Sequence, residues 1–259
     1  MFLDAISMYS DVRSVTRLKE EMIMIKIENI DVYGFDTAIR GMRNPMNSWD
    51  RSDSVFTSEG NNDGTDCPCD CPLSKPEIGE NDLGLMQRLF NGGTEHRKYL
   101  RFINVTMDCV APLYFWKEFD TYRFCEKNSC STMHKIHAKE FTLDDFSCEH
   151  LWGERNDRDV DEPIGIMNMI IDKLNENRTE FLETKDKLFW WQMIQLLPSS
   201  YNQRRTVQMN YEVAVNIIRQ RKNHKLDEWR VMVDELLKLP YMKEIMGIDK
   251  NATEDDERW

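Results

Sequence analysis

Two stretches of this chain repeat apolar residues with the two-residue period of a strand, and both are set among stretches with the 3.6-residue period of helices. Residues 21–33, EMIMIKIENIDVY, alternate and are rich in Ile and Val. Residues 101–112, RFINVTMDCVAP, read as a second strand stopped at Pro112. Helical spacing is expected over GFDTAIRGMR, NDLGLMQRLFN, LYFWKEFDTYRF, two helices within residues 164–198, RRTVQMNYEVAVNIIRQRK and LDEWRVMVDELLKLPYM. Asn81 is a cap candidate for the second, Gly92-Gly93 a stop, and Asp227 or a neighbour a cap for the last. Tyr114, Phe115, Trp116 and Phe119 read as core. A chain of 259 residues with 41% hydrophobic and 31% charged residues can build a single α/β or α+β domain around a sizeable core.

Residues 46–80 break the pattern. Ser, Asp, Asn, Gly and Pro crowd there without periodicity, so the stretch reads as a long surface insertion. Residues 136–165 read as polar and loop-rich, and residues 249–259 as an acidic, frayed tail.

Net charge is −12. Coating a polynucleotide needs Lys and Arg in excess to neutralise phosphates, so that class is excluded while a mononucleotide is not. No run approaches the roughly 18 apolar residues of a membrane span. The first residues lack the basic and apolar blocks of a secretory signal, which gives a cytoplasmic expectation. Seven cysteines, an odd number, then read as reduced thiols. Cys67, Cys69 and Cys71 form C-x-C-x-C, tighter than zinc-ligand spacing and without a fourth ligand, so they read as a loop that happens to hold thiols.

Two clusters carry possible chemistry. Arg204, Arg205, Asn210, Asn216, Arg219 and Arg221 fall on or beside one expected helix after Pro198. Arginine suits bidentate phosphate recognition, and the same spacing also fits a solvated basic face. Residues 121–139 gather Cys125, Cys130, His134 and His137, at spacings that match neither a metal site nor a Cys–His nucleophile pair. No Walker A loop, no dinucleotide glycine fingerprint and no His-Glu-x-x-His occurs.

The order of segments over residues 24–44 and 81–235 resembles that of the flavin-dependent thymidylate synthases. The family carries a helix, a His-containing turn, a strand, Ala-Pro and an aromatic helix running into Arg-His-Arg-x-x-Ser-x-Asn-Glu-x-Ser-x-Arg-Tyr. Laid without gaps from Ala111-Pro112, this signature falls on residues 121–134. Arg123, Asn128 and Ser131 agree with it. Thr121-Tyr122, Glu126, Ser129 and Met133-His134 depart from it. Downstream, LPSSYNQRRTVQMNYEVAVNIIRQR is similar to the family's Leu-Pro followed by Arg, Asn, Asn and Arg, here Arg204, Asn210, Asn216 and Arg221. HKLDEW is similar to its closing His and Trp.

The resemblance implies an α+β fold in one domain spanning residues 1–259, with a mixed sheet packed against long helices and assembly as a homotetramer. It implies FAD as cofactor, held by His96, Tyr122, Arg123, Asn128, Asn210 and Asn216. It implies deoxyuridine monophosphate as substrate, held by Ser131, Arg204 and Arg221. Arg221 is the expected catalytic residue, stabilising charge that develops on the uracil ring. NADPH and methylenetetrahydrofolate are the implied co-substrates, and one-carbon transfer to a uracil nucleotide the implied reaction. The alternative is a non-catalytic or repurposed nucleotide-binding relative, favoured by the loss of arginine at positions 121 and 133.

Overall fold

The computed structural model describes residues 25–56 and 76–248. The Cys67-Cys69-Cys71 cluster, most of the expected insertion and the acidic tail lie outside the described residues. Four strands, β1 (Lys26–Tyr33), β2 (Asn104–Pro112), β3 (Cys125–Ser129) and β4 (Asn202–Asn210), form one sheet in the order β1-β2-β4-β3. The sheet is antiparallel, where a mixed sheet was expected. The helices are α1 (Phe35–Arg43), α2 (Glu80–Asn91), α3 (Leu113–Phe119), α4 (Thr132–Lys135), α5 (Pro163–Thr184), α6 (Lys187–Leu196), α7 (Tyr211–Arg221), α8 (Asp227–Leu237) and α9 (Met242–Met246). Among the described residues no helix is long and apolar enough to cross a membrane.

The described residues gather into two compact units. One comprises, among the described residues, 25–26, 110–119 and 129–204. Its core joins Leu174 of α5 and Met193 of α6 to Phe141, Leu143, Phe146 and Cys148. The stretch expected to be polar thus supplies core side chains from irregular backbone. Asn175 makes this possible, since its side chain accepts from the Phe141 N–H and donates to the Phe141 carbonyl at 2.8 and 2.9 Å. Phe115, Trp116 and Phe119 of α3 are fully buried in this unit, as expected, whereas Tyr114, expected with them, is only partly buried. The helix ends at Phe119, five residues short of the expected stretch.

The other unit comprises the described parts of residues 27–109, together with 120–128 and 205–248. Here β2 alternates strictly. Val105, Met107 and Cys109 are buried, and Asp108 points the other way to accept from Asn29 (2.8 Å) and Thr206 (2.6 Å). Burial pushes the Cys109 thiol up to about 12, so it is an inert core group. Gly34 is required between β1 and α1. Its φ is 96°, and a Cβ there would lie 2.1 Å from the Phe102 carbonyl oxygen.

Two expectations are corrected in this unit. Residues 204–210 were expected in a helix and form most of β4. Val207 and Met209 are buried while Thr206, Gln208 and Asn210 are not, a two-residue period that the strong helical pattern just downstream obscures. The helix begins only at Tyr211. The cap expected at Asp227 or a neighbour falls on the neighbour Leu226, without a side-chain cap hydrogen bond, and the one expected at Asn81 is corrected. Asp227 is the first residue of α8 and follows Leu226. Asn81 lies inside α2, whose first N–H groups, those of Asn81 and Asp82, donate to the Asp53 carboxylate at 2.9 and 3.1 Å.

Residues 48–54 are held firmly, although the sequence gives them no pattern. Asp82 is fully buried and pairs with Arg43 at 2.6 Å. Its other oxygen accepts from the Ser52 and Ser54 hydroxyls and the Asp53 and Ser54 N–H groups.

Candidate functional site

The end of β4 and the start of α7 build the centre of the site. The strand period brings Met209 inward, and the chain then turns at Asn210. The Asn210 side-chain oxygen accepts from the Val213 N–H at 3.1 Å, capping α7. Val213, Asn216 and Gln220 follow at i, i+3 and i+7, so one stripe of α7 faces the same way. The opposite side, including Tyr211, Ala214, Val215, Ile217 and Ile218, is buried.

That stripe lines a cavity of about 490 Å³ within the second unit. The volume falls in the range of small-molecule sites, about 300–1,000 Å³. Its other walls are Thr121, Tyr122, Arg123 and Phe124 from the connection into β3, Arg101 from the turn before β2, and Glu212. Glu212 is paired with buried Arg97, whose Nε and Nη2 donate to Oε1 at 3.2 and 3.1 Å. Arg97 therefore offsets that carboxylate, and Arg101 and Arg123 set a positive sign for the cavity. The N-terminus of α7 adds partial positive charge. Arg97 and Arg219 both lie over the Phe90 ring, 5.4 and 4.8 Å from its centre. Burial, and then the Arg97 charge, lowers the Arg219 pKa.

A second layer supports the cavity wall. The Arg221 guanidinium lies 4.5 Å over the Trp229 ring and 5.6 Å from the Tyr122 ring. Its Nε donates to the Tyr122 hydroxyl at 2.9 Å, and its Nη1 lies 2.9 Å from His224 Nε2. The Tyr122 hydroxyl donates onward to Gln220 at 3.0 Å.

Of the residues expected to hold a cofactor, Tyr122, Arg123, Asn210 and Asn216 meet at this cavity. His96 and Asn128 do not line it. His96 is exposed on the turn after α2, 3.8 Å from Glu95, and Asn128 is exposed on β3. Of the expected substrate residues, Ser131 and Arg204 are exposed within the first unit, where the Arg204 carbonyl accepts from the Cys130 N–H. Arg221, the expected catalytic residue, is half-buried behind Tyr122 and is not part of the cavity lining. Arg205 pairs with Asp120 at 2.9 Å.

Arg101, Thr121, Phe124, Glu212 and Gln220 line the cavity in addition to the site residues expected from the sequence. Gln220 had a readable signal, its i+4 spacing from Asn216. Arg101 and Phe124 had none, because turns place them. Cys125 is not an activated thiol, since burial pushes it up to about 11. Among the described residues no group of three or more His, Cys, Asp or Glu side chains is arranged to hold a metal ion.

The chain matches no family model and no curated protein. Solved structures do match. One is flavin-dependent thymidylate synthase ThyX from Helicobacter pylori complexed with FAD and dUMP, at 14% identity and a TM-score of 0.58, covering 86% of this chain and 97% of that one. Another is Thymidylate Synthase X from Helicobacter pylori with FAD and dUMP, at 16% identity with the same TM-score and coverage. Identity this low carries the fold alone. The chain has a fold similar to that of the flavin-dependent thymidylate synthase ThyX.

Proposed function

We propose that the protein binds FAD at the cavity of its second unit and transfers a one-carbon unit to a uracil nucleotide. The observation that carries this reading is the meeting of Tyr122 and Arg123 with Asn210 and Asn216 at one cavity. The two pairs lie far apart in sequence, and each is assigned to flavin by the resemblance. The donor set fits the cofactor. Guanidinium groups suit its phosphates, side-chain amides suit the hydrogen-bonding edge of its ring, and aromatic walls suit the ring faces. When bound, the flavin would supply the hydride chemistry.

The chain's own residues would bind and orient. Arg101 and Arg123 would hold negative charge, Asn216 and Gln220 would hold polar edges, and Tyr122 would form a wall fixed from behind by Arg221. Because the Asn210 oxygen is committed to its cap, a ligand would meet the Asn210 amide N–H groups. Deoxyuridine monophosphate is the proposed substrate, with Ser131 and Arg204 as proposed contacts. NADPH and methylenetetrahydrofolate are the proposed electron and one-carbon donors. A homotetramer is the proposed assembly.

The test is the visible flavin absorbance of the purified protein, followed through titration with FAD. Saturable binding that weakens in Arg123→Ala supports the reading, and absence of flavin under all conditions rejects it. A second reading, nucleotide binding without turnover, is favoured by one observation. Arg221 packs on Trp229 and Tyr122 and does not line the cavity. Turnover of deoxyuridine monophosphate by the FAD-loaded protein separates the two.

A further inference from the structure

Phe124 combines two features that folding alone does not explain. Its φ is 62°, in the left-handed region that a bulky residue without local side-chain hydrogen bonding rarely adopts. Its side chain is 83% exposed, the highest value among the exposed large hydrophobic residues of the described chain. A strained backbone normally persists because packing or hydrogen bonding over-determines it. Phe124 gains little packing of its own in return for its strain, and it leaves a large apolar ring in water. It also lines the cavity, next to Arg123 and in the same lining as Arg101 and Asn216. An aromatic face beside cations and amides is the equipment for a planar heteroaromatic ring carried on phosphate. The ring face stacks, the cations hold the phosphate, and the amides read the edge.

We infer that Phe124 is the stacking platform for the planar ring of the ligand in this cavity, and that its strained backbone is kept to aim the ring there. The inference deepens the flavin-binding reading and rests on it for the identity of the ring. The backbone conformation and the side chain make separable predictions. Glycine at this position relieves the strain and loses the ring, and little packing is lost because the side chain is exposed. Stability and affinity should therefore move in opposite directions. A purely structural turn residue would not behave this way.

The experiment is equilibrium titration of the full chain with FAD, FMN, ADP and deoxyuridine monophosphate. The proteins are wild type, Phe124→Leu, Phe124→Gly and Phe124→Trp, with the urea midpoint of each measured alongside. The expected result is that Leu and Gly weaken FAD binding about tenfold to a hundredfold. Trp should retain the affinity, and the Gly midpoint should stay at or above wild type. If wild type binds FAD and the Leu and Gly variants bind it equally well, the platform is overturned while the flavin reading stands. If wild type ignores FAD and FMN but binds ADP or deoxyuridine monophosphate with the same dependence on Phe124, the flavin reading fails and the platform stands. Binding of none of the four overturns both.

Discussion

Asp82 shows how one buried charge organises a segment without sequence pattern. Burial opposes its ionised form, but hydrogen bonds from Ser54, Ser52 and Arg43, with the Arg43 charge, outweigh that and lower its pKa. The folded state therefore holds the Asp82 proton more weakly than the unfolded chain. This contribution to stability is complete above the ordinary Asp value of about 3.9 and is lost as pH falls through the lower folded value. Asp82→Asn should cost about 3–5 kcal/mol at neutral pH, because it leaves Arg43 buried without its counter-charge. Urea unfolding at pH 7 checks the size, and the variant should lose part of the wild type's stability decline below pH of about 4. Arg221 is the second informative residue. Lysine cannot lie flat on Trp229 while also reaching Tyr122 and His224, so Arg221→Lys should lower stability by about 1–2 kcal/mol. It should also weaken FAD binding less than Arg123→Ala does, a comparison the absorbance titration reads directly.

Among elements, α7 governs the site because it begins where β4 ends. The Asn210 cap fixes that boundary, so Asn210→Ala should cost about 1 kcal/mol while Asn210→Asp retains most of it. Thermal unfolding of the two variants checks this. The boundary was partly legible, since Asn before an apolar-periodic run is a start signal. Arg204 and Arg205 obscure it, because long polar side chains just before the run are compatible with a further helical turn. Their pairing as strand residues depends on β2 and β3, which flank β4 in the sheet and come from elsewhere in the chain. The cap of α2 was illegible for the same kind of reason. Asp53 lies 28 residues before Asn81, and no local signal links them. By contrast, α5, α6 and β2 were readable, because their periods are local and Pro112 and Pro198 mark ends.

At the scale of the whole molecule, the net charge of −12 and the cationic cavity make opposite demands on anionic ligands. A small anion can satisfy Arg101 and Arg123 at close range, where screening is weak, whereas an extended polyanion must also approach the acidic surface. Duplex DNA should therefore migrate unshifted in a gel assay at about 0.15 M salt, at protein concentrations where FAD binding saturates. Retarded DNA would contradict the charge argument and point to a basic surface beyond the cavity.

The sequence by itself determined a mixed helix-and-strand domain, the long α5–α6 pair, the alternation of β2 and the aromatic core of α3. Each of these rests on residues within a few positions of one another. It also marked Tyr122, Arg123, Asn210 and Asn216, although on a resemblance rather than on spacing. Only the tertiary structure decided that these four share a cavity, that Arg221 stands behind its wall, and that Phe124 faces it from a strained turn. The physical reason is range. Periodicity and caps record interactions along the chain. A cavity is set by sheet order and turn geometry, and those are fixed by hydrogen bonds between segments that the sequence keeps far apart.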